Sequence, residues 1–179
     1  MSLGPAGTAI ASDLGERLAP AKVGPTYASP ITRTWETALE IAKATGSAAP
    51  IPHEGLSEID FGTWTGRPLK DLSKLKAWST VQLTPSRFRF PEGEAFSEAQ
   101  ARAVAACEEI AAVNRKRVVA AVSHADVIKL VVAYYLGLPI DLMQRINVAP
   151  ASVSVIDLER GRLPRVVAVN TSGDPRTWR

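Results

Sequence analysis

A chain of 179 residues, 46% hydrophobic and 22% charged, has the size and composition of one globular domain with a sizeable core, which excludes a disordered or fibrous protein. The net charge of +3 and pI near 9.2 are mild, and the basic residues are scattered without interleaved aromatics, so no nucleic-acid partner is expected. The single cysteine excludes an intrachain disulfide, the start is unlike a secretion signal, and the most apolar stretch, from Val118 to Leu138, is broken by His124, Asp126 and Lys129; the expectation is a cytoplasmic protein without a membrane partner.

A helix is predicted over 7–19 and a short strand over 26–29. The strand runs into Ser29-Pro30-Ile31-Thr32-Arg33-Thr34-Trp35-Glu36-Thr37-Ala38, where Ser29 reads as the N-cap and Pro30 as the first residue of a helix extending over 31–45. Ile31, Trp35, Ala38, Leu39 and Ala42 give that helix an apolar stripe. Arg33 falls in its first turn, where the helix dipole repels a cation and a bound anion would relieve the repulsion; the bland alternative is a solvated surface arginine.

The region 50–93 is the least regular and is expected to act as a lid over a site, with one helix over 69–78. It contains Leu56-Ser57-Glu58-Ile59-Asp60-Phe61-Gly62-Thr63-Trp64-Thr65-Gly66, which has no clear period; irregular segments inside compact domains often carry function. Glu58 is a candidate general acid, Asp60 reads as a turn residue, and Phe61 and Trp64 as packing residues. Arg87 and Arg89, just before Pro91-Glu92-Gly93-Glu94, are candidates for holding a second anionic group of a substrate.

A helix over 95–114 carries the inner stripe Phe96, Ala99, Ala103, Cys107 and Ile110, so the thiol is expected to be buried and inert. The apolar run 118–123 then closes on His124, and a helix over 125–136 follows at once, the pattern of a buried strand entering a helix. Ligands of open α/β sheets bind at the carboxyl ends of strands, beside helix N-termini. His124 is therefore a candidate to act on a phosphate or carboxylate, against the alternative of a capping or core histidine. Strands over 153–158 and 165–170 flank Glu159-Arg160-Gly161-Arg162 as an antiparallel hairpin. The alternation predicts one domain over 1–179, a three-layer α/β/α sandwich around a largely parallel sheet.

Three segments, Ser29-Pro30-x-x-Arg33-x-x-x-Thr37-Ala38, Leu56-x-Glu58-x-Asp60-Phe61-Gly62-x-Trp64-x-Gly66 and Val122-Ser123-His124-Ala125, together resemble the histidine phosphatase superfamily, the phosphoglycerate-mutase-like family, in its order and spacing. Pro91-Glu92-Gly93-Glu94 resembles the element that opens a long helix there. Ser123-His124-Ala125-Asp126, Gln144-Arg145-Ile146 and Pro150-Ala151-Ser152 look most like an actinobacterial subgroup of phosphomutases and phosphatases. The resemblance implies that Arg33 holds a phosphoryl group, that His124 stabilises charge on its oxygens, and that Glu58 gives a proton to the leaving alcohol. It implies a phosphorylated small molecule or inorganic phosphate as partner and no metal or cofactor; assembly with further copies of the chain stays open.

The family's nucleophile is a different histidine, in an Arg-His-Gly motif at the end of its first strand. This sequence holds only His53 and His124 and no such motif, and His53 matches no catalytic position of the family. The first strand, interior in the family, is thus expected to be absent. Either its neighbours close up, or another chain or segment fills the gap, or the natural protein is longer, which is the expectation adopted. By the resemblance the intact protein is a phosphomonoester hydrolase or phosphomutase, and this chain is inactive or weak; the alternative is a nonenzymatic module that binds phosphorylated ligands through Arg33 and His124.

Overall fold

The computed structural model describes residues 2–178. In chain order its helices and strands are α1 (Pro5–Leu18), β1 (Thr26–Ala28), α2 (Thr32–Thr45), β2 (Ile51–Pro52), α3 (Leu69–Leu72), α4 (Trp78–Leu83), α5 (Phe96–Val113), β3 (Ala120–Val122), α6 (Ala125–Tyr135), β4 (Val153–Asp157) and β5 (Arg165–Thr171). Short 3₁₀ turns fill several of the connections.

Strand β1 is buried throughout and paired on both edges. Tyr27 stands opposite Ile51 of β2 and Ala121 of β3, both pairings parallel, so the order is β2-β1-β3. Parallel neighbours require long crossovers, which cover the sheet with helices. On one face, α1 lies along α2, and Leu14, Leu18, Val23 and Ile41 pack on Ala120 and Val122. On the other, Tyr27 and Val119 meet Leu56, Ala106 and Ile110, and α5 packs on α6. Adjacent residues of the β3 segment thus face opposite helix layers, as the two-residue period of a strand requires. The three-layer expectation holds.

Strands β4 and β5 form a separate antiparallel pair, as the hairpin reading anticipated. Val153 packs on the α1 cluster, while Ile156 and Val166 pack on α6. Among the described residues no backbone hydrogen bond joins β3 to β4, so the two sheets are not continuous. This corrects the reading of 118–123 as a buried strand: only Ala120–Val122 is strand, Ala121 is exposed, and Val118 is 54% exposed. An edge without a partner leaves its backbone and side chains open to water.

The irregular region 50–93 differs from expectation in two details. The helix predicted over 69–78 is two short helices, α3 and α4. Ser73 Oγ donates to the Lys70 carbonyl at 3.0 Å and Ser79 Oγ to that of Lys76 at 3.1 Å; such local bonds compete with a continuous helix. Strand β2 was not anticipated, because two residues are too few to show a period. The aromatics do pack inward: Phe61, Trp64, Phe88, Phe90 and Phe96 form a chain of ring contacts 5.0–5.5 Å apart. Cys107 packs against the same cluster, and burial pushes its thiol up to about 11, so it stays protonated.

Candidate active site

Two neighbouring parallel strands, β1 and β3, deliver the first side chains of the site at their carboxyl ends. After β1, Ser29 is buried and Pro30 turns the chain. The N-cap of α2 is Ile31, with φ −65 and ψ 133, rather than Ser29. Ser29 is instead turned inward: its Oγ accepts from the Ile31 amide at 3.3 Å and lies 2.9 Å from His124 Nε2. Arg33 occupies the first turn of α2, as expected. After β3, His124 takes the N-cap position of α6 without a capping side-chain bond. Its side chain, 2% exposed, is directed at Arg33 and Ser29.

Glu58 arrives on the irregular loop. That loop is docked against the start of α5 by a close backbone approach. The Glu94 amide donates to the Asp60 carbonyl and the Asp60 amide to Glu94 Oε2, both at 2.9 Å, and the Thr63 amide donates to Pro91 at 3.0 Å. A Cβ on Gly62, which sits at φ +51, would lie 2.0 Å from the Pro91 carbonyl oxygen, and one on Gly93 would lie 2.3 Å from that of Asp60. Only glycine fits at either position. Asp60 Oδ1 accepts from the Gly62 amide at 2.9 Å, the turn role expected of it.

The three candidates meet. Arg33 Nη2 lies 2.7 Å from His124 Nδ1 and 3.2 Å from Glu58 Oε2, and His124 Nδ1 lies 3.5 Å from that same oxygen. Because a guanidinium only donates, Nδ1 must accept, so the proton of the neutral ring sits on Nε2 and is given to Ser29 Oγ. Burial, then the charges of Arg33 and Arg102, push the His124 pKa down to about 4, so the ring is neutral at pH 7. Burial raises the Glu58 carboxyl and Asp126 adds to the rise, while the Ile59 amide, Arg33 and Arg102 work against it. Arg33 remains open, its side chain 43% exposed, and neither Nε nor Nη1 has a protein partner among the described residues.

Arg87 and Arg89 are exposed and make no hydrogen bond or ion pair with this cluster among the described residues; Arg89 pairs with Glu98 and donates to the Gly93 carbonyl at 3.0 Å. His53 has a local role: Nδ1 accepts from the Gly55 amide at 3.1 Å, and Nε2 lies 3.4 Å from Glu109. No cluster of histidine, cysteine and carboxylate side chains suited to a metal ion occurs among the described residues. Sequence reasoning missed Ser29 as a partner of His124, and it missed Arg102, whose charge reaches both Glu58 and His124. Arg102 left no signal, since an arginine on an amphipathic helix reads as solvated.

The sequence pattern of the histidine phosphatase superfamily (branch 1) matches residues 1–172. Phosphoserine phosphatase 1 of Hydrogenobacter thermophilus is 28% identical over 141 residues, which cover 76% of this chain and 65% of that protein. A probable phosphoglycerate mutase, GpmB, of Klebsiella pneumoniae is 32% identical over 168 residues, or 90% of this chain and 76% of the relative. The chain thus spans about two-thirds to three-quarters of the length of these relatives. Among solved structures, Bacillus stearothermophilus YhfR superposes with a TM-score of 0.87 at 26% identity, covering 97% of this chain and 86% of that one.

Proposed function

Because the chain belongs to the histidine phosphatase superfamily, we propose that the Arg33–Glu58–His124 site binds a phosphoryl group and that the intact protein hydrolyses or transfers it. The observation that carries this reading is the open face of Arg33. Its Nε and Nη1 have no partner among the described residues, and it lies in the first turn of α2, where the Thr32 and Arg33 amides likewise make no hydrogen bond among those residues. A phosphate seated there gains charge-assisted bonds from a planar fork and relieves the repulsion between Arg33 and the helix dipole.

Glu58, its pKa raised by burial, is suited to hold a proton until a leaving alcohol needs it. His124 holds Nη2 and so fixes the orientation of the guanidinium. Burial first, and the charges of Arg33 and Arg102 second, keep the imidazole neutral; a bound dianion would offset the second of these, and an imidazole whose Nδ1 released Arg33 and took a proton would stabilise the phosphoryl oxygens.

A covalent route through phosphohistidine needs one further group. Both ring nitrogens of His124 are engaged, and His53 is held between Gly55 and Glu109. In this reading the nucleophile is a histidine other than these two, and the chain by itself turns over weakly or not at all.

The test is metal-free hydrolysis of p-nitrophenyl phosphate by this chain and by a version extended through an Arg-His-Gly segment. Turnover in the extended form that is lost in Arg33→Ala is the expected result. Silence in both forms, with phosphate still bound, would replace the enzyme by a binding module. Turnover by the short chain would place the nucleophile among these residues.

A further inference from the structure

We infer that Arg102 is a positioning residue for Glu58, clamping the backbone on both sides of that carboxylate. The inference rests on the reading of Glu58 as the proton donor. Arg102 reaches out of α5 with a side chain only 25% exposed, and all five of its N–H donors are used. Nη1 donates to the carbonyls of Gly55 at 3.0 Å and Ser57 at 2.8 Å, and Nη2 to that of Glu58 at 3.0 Å. The remaining donors form a bidentate pair with Glu94, Nε to Oε1 at 2.7 Å and Nη2 to Oε2 at 2.9 Å. Glu94 Oε2 also accepts from the Asp60 amide at 2.9 Å, so the clamp continues past Glu58. The one carbonyl in this run that Arg102 leaves, that of Leu56, accepts from Ser123 Oγ at 2.7 Å, one residue before His124.

Every carbonyl of residues 55–58 therefore has a side-chain partner, which opposes its rotation and directs the side chain of Glu58 toward Arg33 and His124. No shorter or apolar residue at 102 reaches three carbonyls and a carboxylate at once. A lysine restores the charge but has three donors on one nitrogen and cannot span them. The groups that face Glu58 are Arg33 from α2, His124 after β3, Asp126 from α6 and Arg102 from α5. Arg102 thus acts on Glu58 in two separable ways, by geometry and by charge.

The experiment is amide-exchange and carboxyl-carbon NMR on the full chain, comparing the wild type with Arg102→Met, Arg102→Lys and Glu94→Gln. In Arg102→Met the Ile59 and Asp60 amides should exchange faster by about tenfold or more while amides of α1 and α2 keep their rates, and the Glu58 carboxyl should titrate higher than in the wild type. In Arg102→Lys the exchange should still accelerate, but the titration should stay near the wild-type value. A purely structural role would not divide the two variants in this way. Wild-type exchange at Ile59 and Asp60 in Arg102→Met would overturn the inference. Should that variant not fold, Glu94→Gln carries the test: faster exchange at Asp60 is expected, and an unchanged rate overturns the clamp. Inorganic phosphate titrated into the wild type separates the two readings. Phosphate binding with no exchange effect of Arg102 sinks the clamp alone, and an exchange effect without phosphate binding sinks the phosphoryl reading alone.

Discussion

The parallel sheet and the β4–β5 hairpin differ in burial and in what they carry. In β1 every residue is buried and both edges are paired, and the segments that follow β1, β2 and β3 carry Ser29, Arg33, Glu58 and His124. In β4 and β5 no residue is fully buried, and the pair is held to the rest by side-chain contacts with α1 and α6. Only β1 has two neighbours; β2 and β3 flank it, so the segments that leave all three converge beside its buried end, and the two-stranded hairpin has no such centre. The chemistry therefore gathers in the parallel half.

Core substitutions give the largest contrast. Ile41→Ala, in the buried cluster between α2 and β3, should cost roughly 2–5 kcal/mol in urea unfolding. Val166→Ala, half-buried on β5, should cost about 1 kcal/mol. Equal costs would mean that the hairpin is as firmly packed as the sheet.

Acid should act next, through His124. In the unfolded chain the imidazole takes its proton near 6.5, but in the folded protein only near 4. Between those values the unfolded state binds more protons, so stability falls as pH falls, by roughly 3 kcal/mol over the whole window. The raised Glu58 carboxyl works in the opposite sense, favouring the folded state as pH falls. His124→Asn should therefore lose less stability between pH 7 and pH 5 than the wild type does, and parallel curves would show that the buried imidazole is not the cause.

Smaller effects sharpen the comparison. Gly93→Ala forces a Cβ to 2.3 Å from the Asp60 carbonyl oxygen and should destabilise by more than about 1 kcal/mol while weakening phosphate binding, because it undocks the Glu58 loop. Arg162→Ala, in the exposed hairpin turn where Arg162 pairs with Glu159 at 2.8 Å, should change stability by less than about 0.5 kcal/mol and leave phosphate binding unaltered. A loss of phosphate affinity there would place part of the site in the hairpin.

How much was legible followed from how local each signal is. Arg33 and His124 stand at strand-to-helix switches, and the change of period marks such points along the chain. Glu58 stood out because it lies in a long segment without period. The layers followed from alternation. The break between α3 and α4 depended on two serine side chains turning back on their own helix, and β2 exists only because β1 offers it an edge. Arg102 was invisible because the carbonyls it holds are 44–47 residues away along the chain, and no spacing rule reaches across a loop that only the fold closes.

The most direct test of the site is titration of inorganic phosphate, without metal, into this chain and into Arg33→Ala, followed by calorimetry. Phosphate binding by the wild type that weakens on the order of a hundredfold in Arg33→Ala is the predicted result. Equal binding by both, or none by either, would contradict the assignment of Arg33 as the phosphate-holding group.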